Sequence, residues 1–422
     1  MAVLASPLTD RRGAEAPVSH RAGKRRSLVA EWFAHPHADF YLVLVPTLLL
    51  LALGTMMVLS ASSVDAYAQH DGDAYFWVKR QLLFAVVGAA IAFGVSWLSR
   101  TALGVCAWIA LAAAFVLQLL TFSPLGVDVH HNRNWVQFGS EFARVQPAEF
   151  VKIALVLWGA DVFARKAKLL GDTRHLLVPF LPVSLAFVAM VMVDGDLGTA
   201  ILLGAIIVAV LWFVGARWKV LVSMFTLIAI GAAALVLTSP NRMARIFGFA
   251  NQDADPFGTN HQPIQAAVAL ASGGWWGVGL GGSRQKWGGL AEAHTDYIFA
   301  VTGEELGFVG VLVVLALFVT FGYAGLRIAL RSTDRFTRFA AAGVTAWIII
   351  QALVNILVVV RWLPVLGVPL PFLSYGGSAM IANLCGVGVL LACARQEPGA
   401  RELADRRDRP VRTAVVSQGR LR

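Results

Sequence analysis

"YLVLVPTLLLLALGTMM", Tyr41 to Met57, decides the fold. It carries no charge, and the apolar run continues towards residue 61. It is too long for the apolar region of a signal peptide, and no clear cleavage site accompanies it. It therefore reads as an uncleaved first transmembrane helix. Segments of the same kind recur at about 81–98, 102–122, 147–163, 177–193, 199–214, 220–238, 297–326, 340–360 and 377–394, which makes roughly ten spans by length. The segment at 199–214 is short, and the one at 297–326 is long enough to tilt or to run beyond the bilayer. The expected fold is an all-α polytopic membrane protein.

Composition agrees. Of 422 residues, 58% are hydrophobic and 14% charged, with a mean hydropathy of +0.68. Soluble domains carry about a quarter charged residues. The net charge of +10 first suggests nucleic acid, but the placement of the cations excludes that reading. With both termini cytoplasmic, the inside loops hold Lys24, Arg25 and Arg26, then Arg100, then Arg165, Lys166, Lys168 and Arg174. Arg217 and Lys219 follow, then Arg327, Arg331, Arg335 and Arg338, and last the tail from Arg395 onward. The first outside loop carries Asp65, Asp71 and Asp73 instead. This is the positive-inside pattern on nearly every loop. Cys106, Cys385 and Cys393 all lie in apolar runs and read as small core residues.

The chain divides into a polar and basic cytoplasmic tail at 1–38, a membrane domain at 39–395 and an Arg-rich cytoplasmic tail at 396–422. The last of these is expected to touch anionic lipid or a cytoplasmic partner. The long outside segments are about 123–146 and, between spans seven and eight, about 239–296; loops of that length are usually functional or disordered. No internal repeat stands out, whereas a transporter built of inverted repeats would show one.

Ionisable residues crowd the outside edge. "AEAHTDYIFAVTGEELG", Ala291 to Gly307, passes from polar loop to apolar helix at Tyr297. Asp296 thus sits at the outer mouth of span eight. A carboxylate there can serve as a general base. Equally, Thr295 or Asp296 can cap the helix. Glu304 and Glu305 lie about 12–14 Å further along the helix and are expected to pair with cations or line a polar cavity. Arg242, Arg245 and Lys286 suit an anionic ligand such as a phosphate or pyrophosphate, or else neutralise nearby acids and lipid headgroups. Gln262 lies in the same outside segment and is a further candidate for substrate binding. "SGGWWGVGLGG", Ser272 to Gly282, reads as an interfacial or re-entrant turn and not as a phosphate loop. In "QPAEFVK", Glu149 and Lys152 share a helix face, as a buried ion pair or as the wall of a polar cavity. "DGDLGT" places Asp194 and Asp196 at an outside turn. No cofactor is assigned; a divalent cation such as Mg²⁺ would have to be held without a recognisable ligand cluster. The polar groups lie on one side, which favours chemistry on a membrane-held substrate over transport.

These stretches resemble the SEDS family, FtsW and RodA. The match runs from "MMVLSASS" through "NRNWVQFGSEFARVQPAEFVK", "DGDLGT", "NRMARIFGFANQDADPFG", "GLGGSRQKWGGLAEAHTDYIFAVTGEELG" and "QALVNI" to "LPVLGVPLPFLSYGGS". The form around His294 to Asp296 is more like division-type FtsW than elongation-type RodA. The resemblance implies a peptidoglycan glycosyltransferase that joins lipid II into β-1,4-linked glycan on the outer face of the cytoplasmic membrane, at the division septum. It implies a class B penicillin-binding protein, an FtsI-like transpeptidase, as partner, together with other division proteins. It makes Asp296 the general base and assigns Arg242, Arg245 and Lys286 to the donor pyrophosphate. Glu149, Lys152, Ser374 and Ser378 match polar positions around the cavity. The chain departs from the family pattern at Ala291 and Gly195, where proline is usual, at His261, at Ala379, and at Arg361, which stands where glycine is frequent. The other readings are a lipid II flippase and a non-catalytic scaffold that activates the crosslinking enzyme.

Overall fold

The computed structural model describes residues 35, 37–129, 132–140, 143–238, 240–251, 258 and 260–398. The basic residues 24–26 and the tail beyond 398 lie outside them. Helix α1 (Ala38–Gln69) is followed by α2 (Phe76–Ser96) and α3 (Arg100–Leu120). The segment after α3 is not all helical. It forms a small antiparallel sheet of β1 (Gly126–Val129), β2 (Asn132–Gln137) and β3 (Arg144–Val145), with Val136 opposite Val145. Then come α4 (Pro147–Arg165), α5 (Thr173–Leu177), α6 (Phe180–Val193), α7 (Leu197–Val214) and α8 (Trp218–Leu237). The long outside segment contains α9 (Pro240–Ala250), α10 (His261–Ser272) and a 3₁₀ turn at Gln285–Trp287. The chain ends in α11 (Ile298–Arg331), α12 (Arg335–Val359) and α13 (Gly377–Arg395).

Among the described residues, nine helical stretches are long and apolar enough to cross a membrane. The expected fourth span, α4, is not one of the nine, and the reason is physical. It carries Glu149, Lys152, Asp161 and Arg165, yet every residue from Pro147 to Phe163 except Phe150 is buried. It packs against α3, α7, α12 and α13, so it is a central post enclosed by protein. A helix buried all round shows no amphipathic stripe, and its charges are tolerated because they are paired. At the other extreme, no residue of α8 is buried.

Two close backbone approaches position the site. A Cβ on Gly198 would lie 1.9 Å from the Leu366 carbonyl, so the start of α7 lies directly against the segment between α12 and α13. The second is a break in α11. Gly307 has φ 68° and ψ −168° there, and the glycine-rich segment runs alongside. Val278 N donates to Glu304 O (2.9 Å), Gly279 N to Glu305 O (3.1 Å) and Phe308 N to Gly274 O (2.9 Å). The turn at 272–282 is therefore stitched to α11 through backbone groups.

The same contact corrects the reading of Glu304 and Glu305. Neither forms an ion pair among the described residues. Glu305 accepts from Ser60 Oγ (2.6 Å), Gly281 N (3.1 Å) and Ser283 N (3.2 Å). Glu304 accepts from Ser283 Oγ (2.5 Å) and Arg284 N (3.0 Å). They are buried acceptors that fold the loop, because amide donors satisfy a carboxylate as a cation would. A Cβ on Gly307 would lie 2.3 Å from Gly277 N and would sit in the left-handed region. Gly307→Ala is expected to lower stability by about 1–3 kcal/mol through backbone strain and overlap. Thermal unfolding in detergent reads this; an unchanged midpoint would contradict the stitched break.

At the opposite end of the bundle, Asp39 binds Arg327 (2.9 Å) and Arg331 (3.0 Å), tying the start of α1 to the end of α11. Glu397 lies 3.8 Å from Arg331. Burial, and then the neighbouring Asp39, push its carboxyl up to about 8.

Candidate functional site

The site is built around the extended segment 363–376, which enters the protein between α12 and α13. Buried irregular backbone persists only where protein satisfies its polar groups. Here α12 does so. Gln351 and Asn355 lie four residues apart and so share a helix face. Asn355 Nδ2 donates to Val368 O (2.8 Å), and Gln351 Nε2 donates to Pro369 O (3.0 Å).

The segment in turn holds the loop that carries Asp296. Tyr375 N donates to His294 O (2.9 Å). Ser374 Oγ donates to Thr295 O (2.6 Å) and accepts from Leu370 N (2.8 Å). Asn355 Nδ2 also donates to Asp296 O (2.8 Å). Three consecutive carbonyls are thus tethered, and the side chain between them is aimed by a fixed backbone.

Asp296 is not a helix cap. The N-cap of α11 is Tyr297, without a side-chain cap bond. Thr295 Oγ1 donates instead to Glu292 Oε2 (2.6 Å). Among the described residues no hydrogen bond reaches the Asp296 carboxylate, which is half-buried. Burial first, then the negative charges of Glu292 and Asp196, push its carboxyl from 3.8 up to about 7, with Arg245 opposing them. Gly367, at φ 68°, lies beside it: a Cβ there would be 3.7 Å from Asp296 Oδ2.

The other expected residues divide. Glu149 and Lys152 form a buried pair at 2.7 Å, and Lys152 Nζ also donates to Gln351 Oε1 (2.8 Å). Gln351 Oε1 takes a further bond from Trp347 Nε1 (2.9 Å). The pair therefore acts on the site through Gln351 and the 363–376 segment. Ser378, in the first turn of α13, accepts from Gln146 N (2.9 Å) and locks the start of α4. Arg245 is exposed on α9 and acts electrostatically on both Asp296 and Tyr297. Arg242 donates to Gly195 O (2.8 Å) and Leu235 O (3.4 Å), so its fork is engaged by backbone. Lys286 donates to Gly281 O inside the glycine-rich loop. Gln262 is half-buried in the first turn of α10. Among the described residues no hydrogen bond or ion pair joins Lys286 or Gln262 to Asp296.

The acids of "DGDLGT" are structural. Asp196 caps α7 through Thr199 N (2.9 Å) and accepts from Asn134 Nδ2 (2.7 Å). Asp194 accepts from Gln118 Nε2 (2.6 Å) and Thr121 Oγ1 (3.0 Å); burial pushes its carboxyl up to about 6. Together they join α3, the hairpin and α7. Among the described residues no group of three or more His, Cys, Asp or Glu side chains is placed to hold a metal ion.

Gln351 and Asn355 received no role from the sequence, although two amides four residues apart in an apolar run were a signal. Arg361, one of the departures from the family pattern, also has a place here. It lines a small cleft with Arg245, Asn260, Pro263, Leu363 and Pro364.

A family model described as "cell cycle protein" (FtsW/RodA/SpoVE) matches residues 41–398. The chain is 35% identical over 391 residues to "Probable peptidoglycan glycosyltransferase FtsW" of Mycobacterium tuberculosis, covering 92% of this chain and 74% of that one. It is 38% identical over 364 residues to stage V sporulation protein E of Bacillus subtilis, covering 85% and 97%. The crystal structure of the rod shape determining protein RodA of Thermus thermophilus superposes with a TM-score of 0.61 at 25% identity, covering 87% of this chain and 99% of that one. A chain from work on "structural coordination of polymerization and crosslinking by a peptidoglycan synthase complex" superposes with a TM-score of 0.67 at 25% identity, covering 84% and 96%.

Proposed function

The chain belongs to the FtsW/RodA/SpoVE family of cell cycle proteins, and from that premise we propose that it polymerises lipid II into β-1,4-linked glycan strands. It is a multi-pass membrane protein and a peptidoglycan glycosyltransferase. The observation that carries the mechanism is the Asp296 carboxylate: half-buried, tethered through its own carbonyl and the two before it, and pushed up to about 7.

A base of that strength takes the proton from the acceptor sugar hydroxyl as its oxygen attacks the donor anomeric carbon. The bond from that carbon to the diphosphate breaks, and the electron pair leaves with the diphosphate. A cation facing the diphosphate oxygens stabilises the charge that develops there. Arg245 is on the correct side for this, since its field reaches Asp296. The Lys152–Glu149 pair is buried, and Lys152 is bound by Glu149 and Gln351, which supports the polymerase reading over a flippase.

A class B penicillin-binding protein of the FtsI-like type is the proposed crosslinking partner, with other division proteins and membrane lipid around it at the septum. The supporting observation is the likeness to a chain of a peptidoglycan synthase complex. The test is to purify the protein with that partner, supply lipid II in lipid nanodiscs and read the glycan on a gel. Strands longer than the dimer are expected. If the wild-type complex binds lipid II and makes no glycan, the polymerase reading fails.

A further inference from the structure

We propose that the outer end of α2 is a second clamp on the loop that carries Asp296, with Gln81 and Trp77 as positioning residues that act beside the amides of α12. What Asp296 does there rests on the polymerase reading; how it is held does not.

Helix α2 is largely a lipid-facing element. Val78, Gln81, Gly88, Ala92 and Ser96 are its buried residues, while Leu82, Leu83, Val86 and Val87 are exposed. A buried amide in such a helix costs free energy unless it is bonded. Gln81 is fully buried, and its Nε2 donates to Ser374 O (3.2 Å). Ser374 is the residue whose hydroxyl holds Thr295 O at 2.6 Å. Gln81 therefore reaches the residue before Asp296 through a single intermediate.

The contact repeats along one face of the helix. Trp77, Gln81 and Phe84 are spaced i, i+4 and i+7, which places them on a common face. The Trp77 ring lies 5.0 Å from the Tyr375 ring, edge to face, and 5.5 Å from the His294 imidazole. The His294 and Tyr375 rings are themselves 5.6 Å apart, so the three close a triangle at separations where aromatic pairs attract. Further along α2, a Cβ on Gly377 would lie 2.6 Å from Phe84 Cε2, so the chain passes directly under that ring. Three points on α2 thus touch Tyr375, Ser374 and Gly377. The bond from Tyr375 N to His294 O (2.9 Å) carries that contact into the loop.

Two helices therefore hold the base. From α12, Asn355 binds the carbonyl of Asp296 itself (2.8 Å). From α2, Trp77 packs on His294, and Gln81 holds Thr295 by way of Ser374. The aim of the Asp296 side chain is set by this backbone, so loosening either helix displaces the base from the acceptor hydroxyl. Such a displacement lowers turnover and leaves substrate affinity in place.

The test uses the full chain with its transpeptidase partner in phosphatidylcholine nanodiscs. Lipid II polymerisation is followed by initial rate, and backbone amide exchange by mass spectrometry. Gln81→Leu keeps the side chain's bulk and removes the donor. The amide oxygen it also removes has no partner among the described residues, so the melting temperature is expected to match that of the wild type. Turnover should fall about tenfold, since misplacing a reacting group by about 1 Å costs up to about a hundredfold. The half-saturating lipid II concentration and the pH midpoint of the rate should stay where they are. Amide exchange should quicken about tenfold within 291–297 and 374–377 and be unchanged elsewhere. Trp77→Phe keeps a ring and should behave as the wild type, whereas Trp77→Leu should repeat the Gln81→Leu pattern. Wild-type turnover and wild-type exchange in Gln81→Leu would overturn the proposal. So would faster exchange throughout the membrane domain, which would make Gln81 a general packing residue. A raised half-saturating concentration at unchanged turnover would overturn it too, by placing α2 at the substrate. If exchange in the loop depends on Gln81 but the wild type makes no glycan, the clamp stands and the polymerase reading falls.

Discussion

Asp296→Asn is expected to remove glycan synthesis while leaving assembly with the transpeptidase intact. A positioned general base contributes about 10²–10⁴-fold, so the residual rate should be reduced at least about a hundredfold. The substitution keeps the shape of the side chain, and the tethers run through the backbone carbonyls of His294, Thr295 and Asp296, which the variant retains. Lost activity would then report the lost base and not a lost fold. The pH dependence gives an independent check. The acid is raised from 3.8 to about 7, so it is protonated below that value and ionised above it. The wild-type rate is expected to rise as pH increases through about 7 and to fall away on the acid side. Stability runs the other way. The folded protein holds this proton more tightly than the unfolded chain, so the group's contribution is fully present below the ordinary aspartate range. It is lost as pH rises through about 7. Asp296→Asn should therefore melt at or above the wild-type temperature at pH values above that point. A variant that polymerises normally would return Asp296 to a structural role, and a wild-type rate flat across neutral pH would remove the general-base assignment.

Lys152→Met is expected to be the most destabilising single change in the membrane core. Its ammonium group is buried between Glu149 (2.7 Å) and Gln351 (2.8 Å), beside the Trp347 ring at 5.7 Å. Removing one partner of a buried ion pair leaves the other uncompensated and typically costs about 3–5 kcal/mol. Among the described residues Glu149 Oε2 has no hydrogen-bond partner, so the carboxylate depends on Lys152. The loss also removes one of the two donors to Gln351 Oε1, whose amide nitrogen holds Pro369 O at 3.0 Å, so the segment that tethers Asp296 should loosen. Both a lower melting temperature and a lower rate follow. The double variant Lys152→Met with Glu149→Gln should be more stable than the single one, because no buried charge is then left alone. Equal melting of wild type and Lys152→Met would remove the pair from any role in the fold.

Much of this architecture was readable along the chain. The spans declare themselves by length and hydropathy, since hydrocarbon demands about 20 apolar residues per crossing. Asp296 was visible as a carboxylate at an apolar boundary, and the Glu149–Lys152 pair as an i,i+3 match on one helix face. These are local properties, set by rise and periodicity within one element. The expected segment 147–163 does form a helix, α4, but its charges keep it out of the stretches apolar enough to span by themselves.

What tertiary structure decided is which distant groups meet. Arg242 and Arg245 look equivalent in sequence, yet one braces the Gly195 carbonyl and the other faces the cleft. Arg361 joins that cleft only because a single left-handed residue turns the chain at the end of α12. Glu304 and Glu305, expected to pair with cations or line a polar cavity, found amide donors from the glycine-rich loop. Gln351 and Asn355 acquired their role from carbonyls 13 to 59 residues away, at Pro369, Val368 and Asp296. Propensity and hydropathy act within a few residues of chain. The partners of a buried polar group are chosen by packing between elements, which no local pattern records.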